Sequence, residues 1–222
     1  MSESTSGSTT ASEAAVPLHL EHAPKHRRAV SSSALRSGGE AAIGDRTVIA
    51  LLSVLLLALL ALTWRKWGIL DTDTGLELTI ADSVSHGAVL YRDVRYFYGP
   101  AGLYSLALAF KVFGPSLATA IAFGLAETVA ILATFYALAR NWVRPASAGL
   151  ATAALIAVGL SGWANFVLPN TNSASVGLLF LLLVLLALTR RHPVLAGVAL
   201  GLLALTRAEF AAAGVAVAFA YA

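Results

Sequence analysis

Three carboxylates fall within the stretch "DTDTGLE": Asp71, Asp73 and Glu77. Acids grouped in this way can take the proton from a reacting hydroxyl, or share a hard divalent cation such as Mg2+ or Mn2+. Without a substrate they are water-facing charges of a loop. Further on, "YRDVRYFYGPAGLY" sets Arg92 and Asp93 side by side among Tyr91, Tyr96, Phe97, Tyr98 and Tyr104. Adjacent residues do not share a helix face, so Arg92 and Asp93 are expected to reach separate partners from a turn, the alternative being an ion pair between them. The tyrosines have a plain alternative role as anchors at a lipid interface. Two more charged sites interrupt apolar runs: Glu127 in "FGLAETVAIL", and Arg207 with Glu209 in "LTRAEF". Charges at such depth face a partner or a wet cavity. For Glu127 the plainer expectation is a neutral group hydrogen-bonded between helices, and for Arg207 and Glu209 an internal ion pair. His86 reads as a polar residue of the interface.

The elements that position these residues are membrane helices. The chain is 58% hydrophobic and 12% charged, where a soluble domain carries about a quarter charged residues. It has no cysteine, which excludes disulfides, thiolate zinc sites and thiol nucleophiles. The net charge of +3 is small and scattered, which argues against nucleic acid as a partner. Residues 1–45 are rich in Ser, Ala, Gly and Glu, and carry the patch Lys25-His26-Arg27-Arg28. They lack an apolar period and read as a disordered cytoplasmic tail.

The remainder, 46–222, is expected to be all-α: a polytopic transmembrane domain of about five membrane segments, since about 20 apolar residues cross a bilayer core. The candidates are Thr47–Trp64, Leu117–Ala139, about Ala146–Val167, about Ser173–Thr189, and a stretch from Pro193 to the end broken at Arg207 and Glu209. The pair Gly197 and Gly201 suggests close helix packing in the last of these. The run ends inside "VAFAYA", so the chain reads as truncated at its C-terminus and its function as needing a part beyond it. Lys25, Arg27, Arg28, Arg36 and Arg46 precede the first span, Arg140 and Arg144 follow the second, and Arg190 and Arg191 follow the fourth. The positive-inside rule puts these in the cytoplasm and leaves 65–116 as a long external first loop.

Within that loop, Leu76, Ile80 and Val84 recur at helical spacing with Ala81 beside them. They predict a short interfacial helix from Gly75 to His86, ended by Gly87. Gly99-Pro100 breaks the chain, and Pro100 suits the first turn of a second short helix that closes at Gly114-Pro115. The polar turn Pro169-Asn170-Thr171-Asn172 joins the third and fourth spans.

The order of these features resembles the GT-C superfamily of membrane glycosyltransferases, which use sugars linked to polyprenyl phosphate. That pattern places an acidic pair after the first span, then a glycine, an alanine and a glycine. A "PYRDF" element, a "PPLxxYL" element and "LFG" follow. Here Asp73, Gly75, Ala81 and Gly87 take the first positions, "LYRDV" stands for "PYRDF", "YGPAGLY" for the proline element, and "VFGPS" for "LFG". Thr74 replaces the usual second acid and Gly99 the first of two prolines. The protein mannosyltransferases and the aminoarabinose transferase of lipid A are relatives within that superfamily.

The resemblance implies transfer of a sugar from a polyprenyl-phosphate donor to a lipid, glycan or protein acceptor at the outer membrane face. It assigns Asp73 the role of general base, with Asp71 or Glu77 standing in for the second acid. Arg92 and Arg207 become candidates for the donor phosphate, in a substrate region with Asp93, Tyr98 and Glu209. A divalent metal is conceivable, and no metal motif is present. The rival expectations are a transporter or flippase with Glu127 and Arg207 along its path, and a non-catalytic scaffold of the same fold. The chain has no internal repeat of the kind transporters show.

Overall fold

A computed structural model describes residues 44–63, 72–159 and 173–221. The basic tail, Trp64, Trp67, Asp71, the end of the third apolar stretch and the turn at 169–172 lie outside the described residues. Among those described, eight helices carry the chain and no strand forms: α1 (Asp45–Thr63), α2 (Thr72–Ser85), α3 (Pro100–Phe113), α4 (Leu117–Ala139), α5 (Pro145–Gly159), α6 (Ser173–Thr189), α7 (Pro193–Ala204) and α8 (Ala208–Tyr221).

Local chemistry sets their ends. Proline opens α3, α5 and α7, where its missing N–H costs nothing and its fixed φ suits the first turn. Helix α2 stops at Gly87, whose φ of +103° lies in the region glycine tolerates best. Helix α3 stops at Gly114, whose N–H donates to the Phe110 carbonyl at 2.8 Å. Ser116 caps α4, its hydroxyl accepting from the Thr119 N–H at 3.1 Å.

Helix α4 is the central post, touching α3, α5 and α6. Near its N-terminal end, α2 and α3 enclose a core of Ile80, Ala81, Leu103, Leu106, Ala107 and Phe110, completed by Ala120 of α4. Helix α1 lies against α4 and α5 through Val48, Leu52 and Leu56, packed around Leu132, Tyr136, Ala148 and Ile156. Its first residue, Asp45, accepts from the Tyr136 hydroxyl at 2.7 Å and from Arg140 Nε at 2.6 Å. The start of α1 and the end of α4 are therefore at one level. On the other side, α6 packs Leu182 against Ile131 and Leu138, and Val184 against Ala199 and Leu203 of α7.

Among the described residues two helices, α1 and α4, are long and apolar enough to cross a membrane. The stretch after Pro193 differs from the expected interrupted span. Gly214 of α8 packs against Leu200 and Leu203 of α7, so α8 turns back on α7 instead of continuing it. The glycines that pack closely around this hairpin are Gly214 and Gly177, the latter against Phe210 and Thr206. Gly197 and Gly201 face open space, which corrects the expectation for that pair. A small-residue spacing shows only where a neighbour could approach, and α6 and α8 pack on other faces of α7.

Candidate functional site

Glu77 lies on α2 one turn before Ala81, on the face that packs inward. Its Oε1 accepts a hydrogen bond from the Tyr96 hydroxyl at 3.0 Å. The phenol oxygen in turn accepts from the side chain of Ser173, buried at the start of α6. Burial and the neighbouring Glu77 charge push the Tyr96 phenol well above its ordinary value, so Tyr96 remains a donor at any physiological pH. Glu127 of α4 is only 8% exposed, within the electrostatic reach of Glu77. Its Oε1 has no hydrogen-bond partner. The interhelical hydrogen bond expected for Glu127 is thus not made by its Oε1. Residues from three parts of the chain, 77, 96 and 173, thus meet around the Tyr96 hydroxyl.

A second cluster adjoins the first through aromatic rings. Tyr96 and Tyr98 meet edge to face, centroids 5.7 Å apart, a favourable arrangement of ring quadrupoles. The Arg207 guanidinium lies over the Tyr98 ring at 4.4 Å. Arg207 Nε is 2.9 Å from Glu209 Oε1, close enough for an ion pair though without hydrogen-bond alignment. Sequence-distant pieces meet here because two helix ends satisfy each other. The amides at the α3 start donate to the carbonyls at the α7–α8 turn, Gly99 N–H to Thr206 O at 2.6 Å and Ala101 N–H to Leu205 O at 3.0 Å. Free donors of one terminus thus meet free acceptors of another. The approach needs glycine at 99, since a Cβ there would overlap the Leu205 and Thr206 carbonyl oxygens. Tyr91, at φ +68°, hooks the same loop by donating its hydroxyl to the Tyr98 carbonyl at 2.5 Å.

Arg92 and Asp93 do not reach separate partners. Arg92 Nε and Nη2 donate to the two Asp93 oxygens, both at 2.9 Å, and Asp93 Oδ2 also accepts from the Val89 N–H at 2.8 Å. The helix-face argument fails because residues 91–93 form a tight turn that swings neighbouring side chains together. Arg92 holds the Asp93 carboxyl down at about 2, with help from the Val89 amide. This pair locks the turn and leaves Arg92 engaged. His86 caps the end of α2, its Nδ1 2.9 Å from the Asp82 carbonyl oxygen.

Asp73 falls in the first turn of α2; its side chain, like Asp71, lies outside the described residues. Tyr98, Arg207 and Glu209 are brought together, and Glu77 joins them through Tyr96. Sequence reasoning assigned no site role to Tyr96 and Ser173. Tyr96 stood among five aromatics in the same loop, and a serine opening an apolar run carries no signal of its own. Chemically, the region offers carboxylates beside a phenol at one end and a ring-stacked guanidinium at the other. Among the described residues no three His, Cys, Asp or Glu side chains converge as metal ligands. Comparison with protein-family models, curated proteins and solved structures finds no match.

Proposed function

We propose that the chain is a polytopic membrane protein with residues 65–116 at the outer face, and that it transfers a sugar from a polyprenyl-phosphate donor. The observation that carries the reading is the series Glu77–Tyr96–Tyr98–Arg207, a carboxylate and a guanidinium flanking an aromatic pair. Such transfer needs both groups. The carboxylate takes the proton of the acceptor hydroxyl as its oxygen bonds to the anomeric carbon. The bond from that carbon to the phosphate oxygen breaks, and the lipid phosphate leaves as an anion that a positioned cation stabilises. Asp73 is the base by resemblance to the GT-C pattern, and Glu77 is the second acid of the pair. Arg207 serves the phosphate, exchanging Glu209 for it, while Tyr98 holds the guanidinium flat. The Arg92–Asp93 pair is a structural lock of the loop.

Membrane embedding is supported by the large apolar side chains that face outward along several helices. Leu51, Val54 and Leu57 of α1, Leu150 and Val158 of α5, and Val194 and Val198 of α7 are all exposed. In water such a surface is costly; in lipid it is solvated. The shared level of Asp45 and Arg140 supports an even number of crossings between them. Single cysteines at Ser85 and Ser147 test the topology in a chain free of native thiols. Labelling from outside at Ser85 and not at Ser147 is expected, and the reverse pattern sinks the assignment.

The reaction is tested by sugar transfer from a lipid-phosphate donor in membranes containing the Asp73→Asn, Glu77→Gln or Arg207→Gln protein. Loss of transfer with normal insertion is expected for Asp73→Asn and Arg207→Gln, by about 100-fold or more for the base. Unchanged transfer in both removes the reading. Transport of the lipid-linked sugar is the second reading, favoured by the unpartnered Glu127 within α4. It predicts flipping without transfer.

A further inference from the structure

Helices α1, α4 and α5 leave an apolar groove of about 370 Å3 between them, walled by Ile49, Ser53 and Leu56 of α1, Val129 and Ala133 of α4, and Ile156 of α5. From Ile49 to Leu56 it follows α1 for about 10 Å at the helical rise. Ile49 and Val129 are each half exposed, so the groove opens sideways. Two of its polar groups are already engaged: Thr152 Oγ1 donates to the Ala148 carbonyl at 2.8 Å, and the Tyr136 hydroxyl to Asp45 at 2.7 Å. One end of the groove is cationic. Arg46 precedes Ile49 by three residues and Ser53 by seven, and Arg140 follows Tyr136 by four and Ala133 by seven. These spacings extend the groove faces of α1 and α4 by one turn. Arg144 stands directly before α5, and the Arg140 guanidinium donates to the Val143 carbonyl beside it. Asp45 accepts from both Tyr136 and Arg140, which ties the groove wall to this charged end. Arg46 and Arg144 are exposed.

We propose that this groove holds an acyl chain of an anionic phospholipid from the cytoplasmic leaflet, with the headgroup phosphate on Arg46 and Arg144. A hydrocarbon slot that leads to cations complements an amphiphile with an anionic head. Arg140 answers Asp45, which leaves Arg46 and Arg144 for the phosphate, a group that guanidinium binds through paired hydrogen bonds. The cytoplasmic leaflet is the anionic one, and basic pockets between helices on that side take acidic head groups. Trp142, in the loop that carries Arg144, is 60% exposed and suits the headgroup level. A free phosphate would have no use for the groove, and a second copy of an apolar helix none for the arginines. The bound chain clips α1, most of which is exposed, to α4 and α5. The inference rests on the membrane topology proposed above and is independent of sugar transfer.

The test is titration of the purified full chain in detergent with phosphatidylglycerol or phosphatidylcholine of the same acyl chains, read by native mass spectrometry together with the thermal midpoint. The wild type is expected to retain phosphatidylglycerol in preference and to unfold at a higher temperature with it. Arg46→Gln and Arg144→Gln should each weaken that binding about fivefold, and together about 30-fold, the effect of one and two arginines near an anionic lipid surface. Ser53→Phe and Ala133→Phe each set a ring in the groove from an exposed position, one on α1 and one on α4. Either should abolish retention, so one remains readable should the other misfold. Equal retention of the two lipids by the wild type overturns the proposal. So does phosphatidylglycerol binding that is unchanged in the double arginine variant or in both phenylalanine variants. Inorganic phosphate that raises the midpoint as much as phosphatidylglycerol overturns it in favour of a headgroup site alone. A dimer that dissociates on Ala133→Phe overturns it in favour of a second copy of the chain. Labelling of the cysteine at Ser147 reads the topology separately. Access from outside sinks that topology, whereas a protected Ser147 with no lipid preference sinks this inference alone.

Discussion

At the scale of residues, Gly99 and the Arg92–Asp93 pair make the sharpest commitments. Gly99 brings α3 to the α7–α8 turn at a distance where no Cβ fits. Gly99→Ala is expected to cost about 1–3 kcal/mol through overpacking, read as a lower unfolding midpoint in detergent. Asp93 offers a test in pH. Its folded carboxyl titrates at about 2, below the ordinary aspartate value. The contribution of this group is therefore fully present above the unfolded value and is lost as pH falls through about 2. Carboxyl titration by NMR should find Asp93 near that value in the native protein. In Arg92→Gln it should rise toward the ordinary one, since Arg92 is the larger cause. The exposure of the pair means that global stability changes little in that variant.

At the scale of elements, the helices divide by what they bury. Helix α3 turns Leu103, Leu106, Ala107 and Phe110 inward, leaving Tyr104 and Leu108 outside, and so it carries the cap that holds α2 over the bundle. Leu106→Ala should cost about 2–5 kcal/mol as a fully buried truncation, whereas Leu108→Ala should leave the unfolding midpoint within a degree or so of the wild type, both by thermal scans. Helix α1 buries little and depends on a few contacts. Val48 fits against Gly149 of α5, where an added Cβ would meet its side chain. Gly149→Leu should displace the start of α1 and break its bond from Asp45 to Tyr136. Oxidative crosslinking of cysteines introduced at Leu52 and Leu155, which pack in one cluster, should fall in that variant. Crosslinking at the wild-type level would show that α1 docks without this contact.

For the molecule as a whole, α4 joins two regions of different character. Toward the end marked by Asp45 and Arg140, an apolar groove of about 370 Å3 opens between α1, α4 and α5. At the opposite end, polar groups from α2, the following loop, α6 and the α7–α8 turn gather around Tyr96 and Tyr98. The helix-to-helix bonds at Gly99 and Ala101 couple this polar end to the α7–α8 hairpin. Disturbing the hairpin should therefore perturb the aromatic pair. Leu203→Ala, at a fully buried α7 position, is expected to lower the protection of the Gly99 and Ala101 amides in hydrogen exchange. Unchanged protection would mean that the hairpin and the loop move independently.

Much of the helical plan is legible in the sequence because its signals are local. Leu117–Ala139 is read to the residue, and the helix at about Ser173–Thr189 closely, from apolar length and polar flanks. Pro100 and Gly114 bound α3 by their own backbone preferences, and Gly87 ends α2 in the same way. Which polar groups meet is a different matter, since it depends on pairs distant in the chain. Nothing near Glu77 predicts Tyr96 as its donor or Ser173 behind that. The aromatic crowd does not tell Tyr98 from Tyr104 until Arg207 is laid on one ring. Likewise, Gly197 and Gly201 carry the right spacing on the wrong face. The sequence by itself determined where helices start and stop, through hydrophobic length, proline and glycine. Only the tertiary structure decided that Arg207 lies on the Tyr98 ring and that α8 turns back on α7, because those outcomes follow from which helix ends satisfy one another's hydrogen bonds.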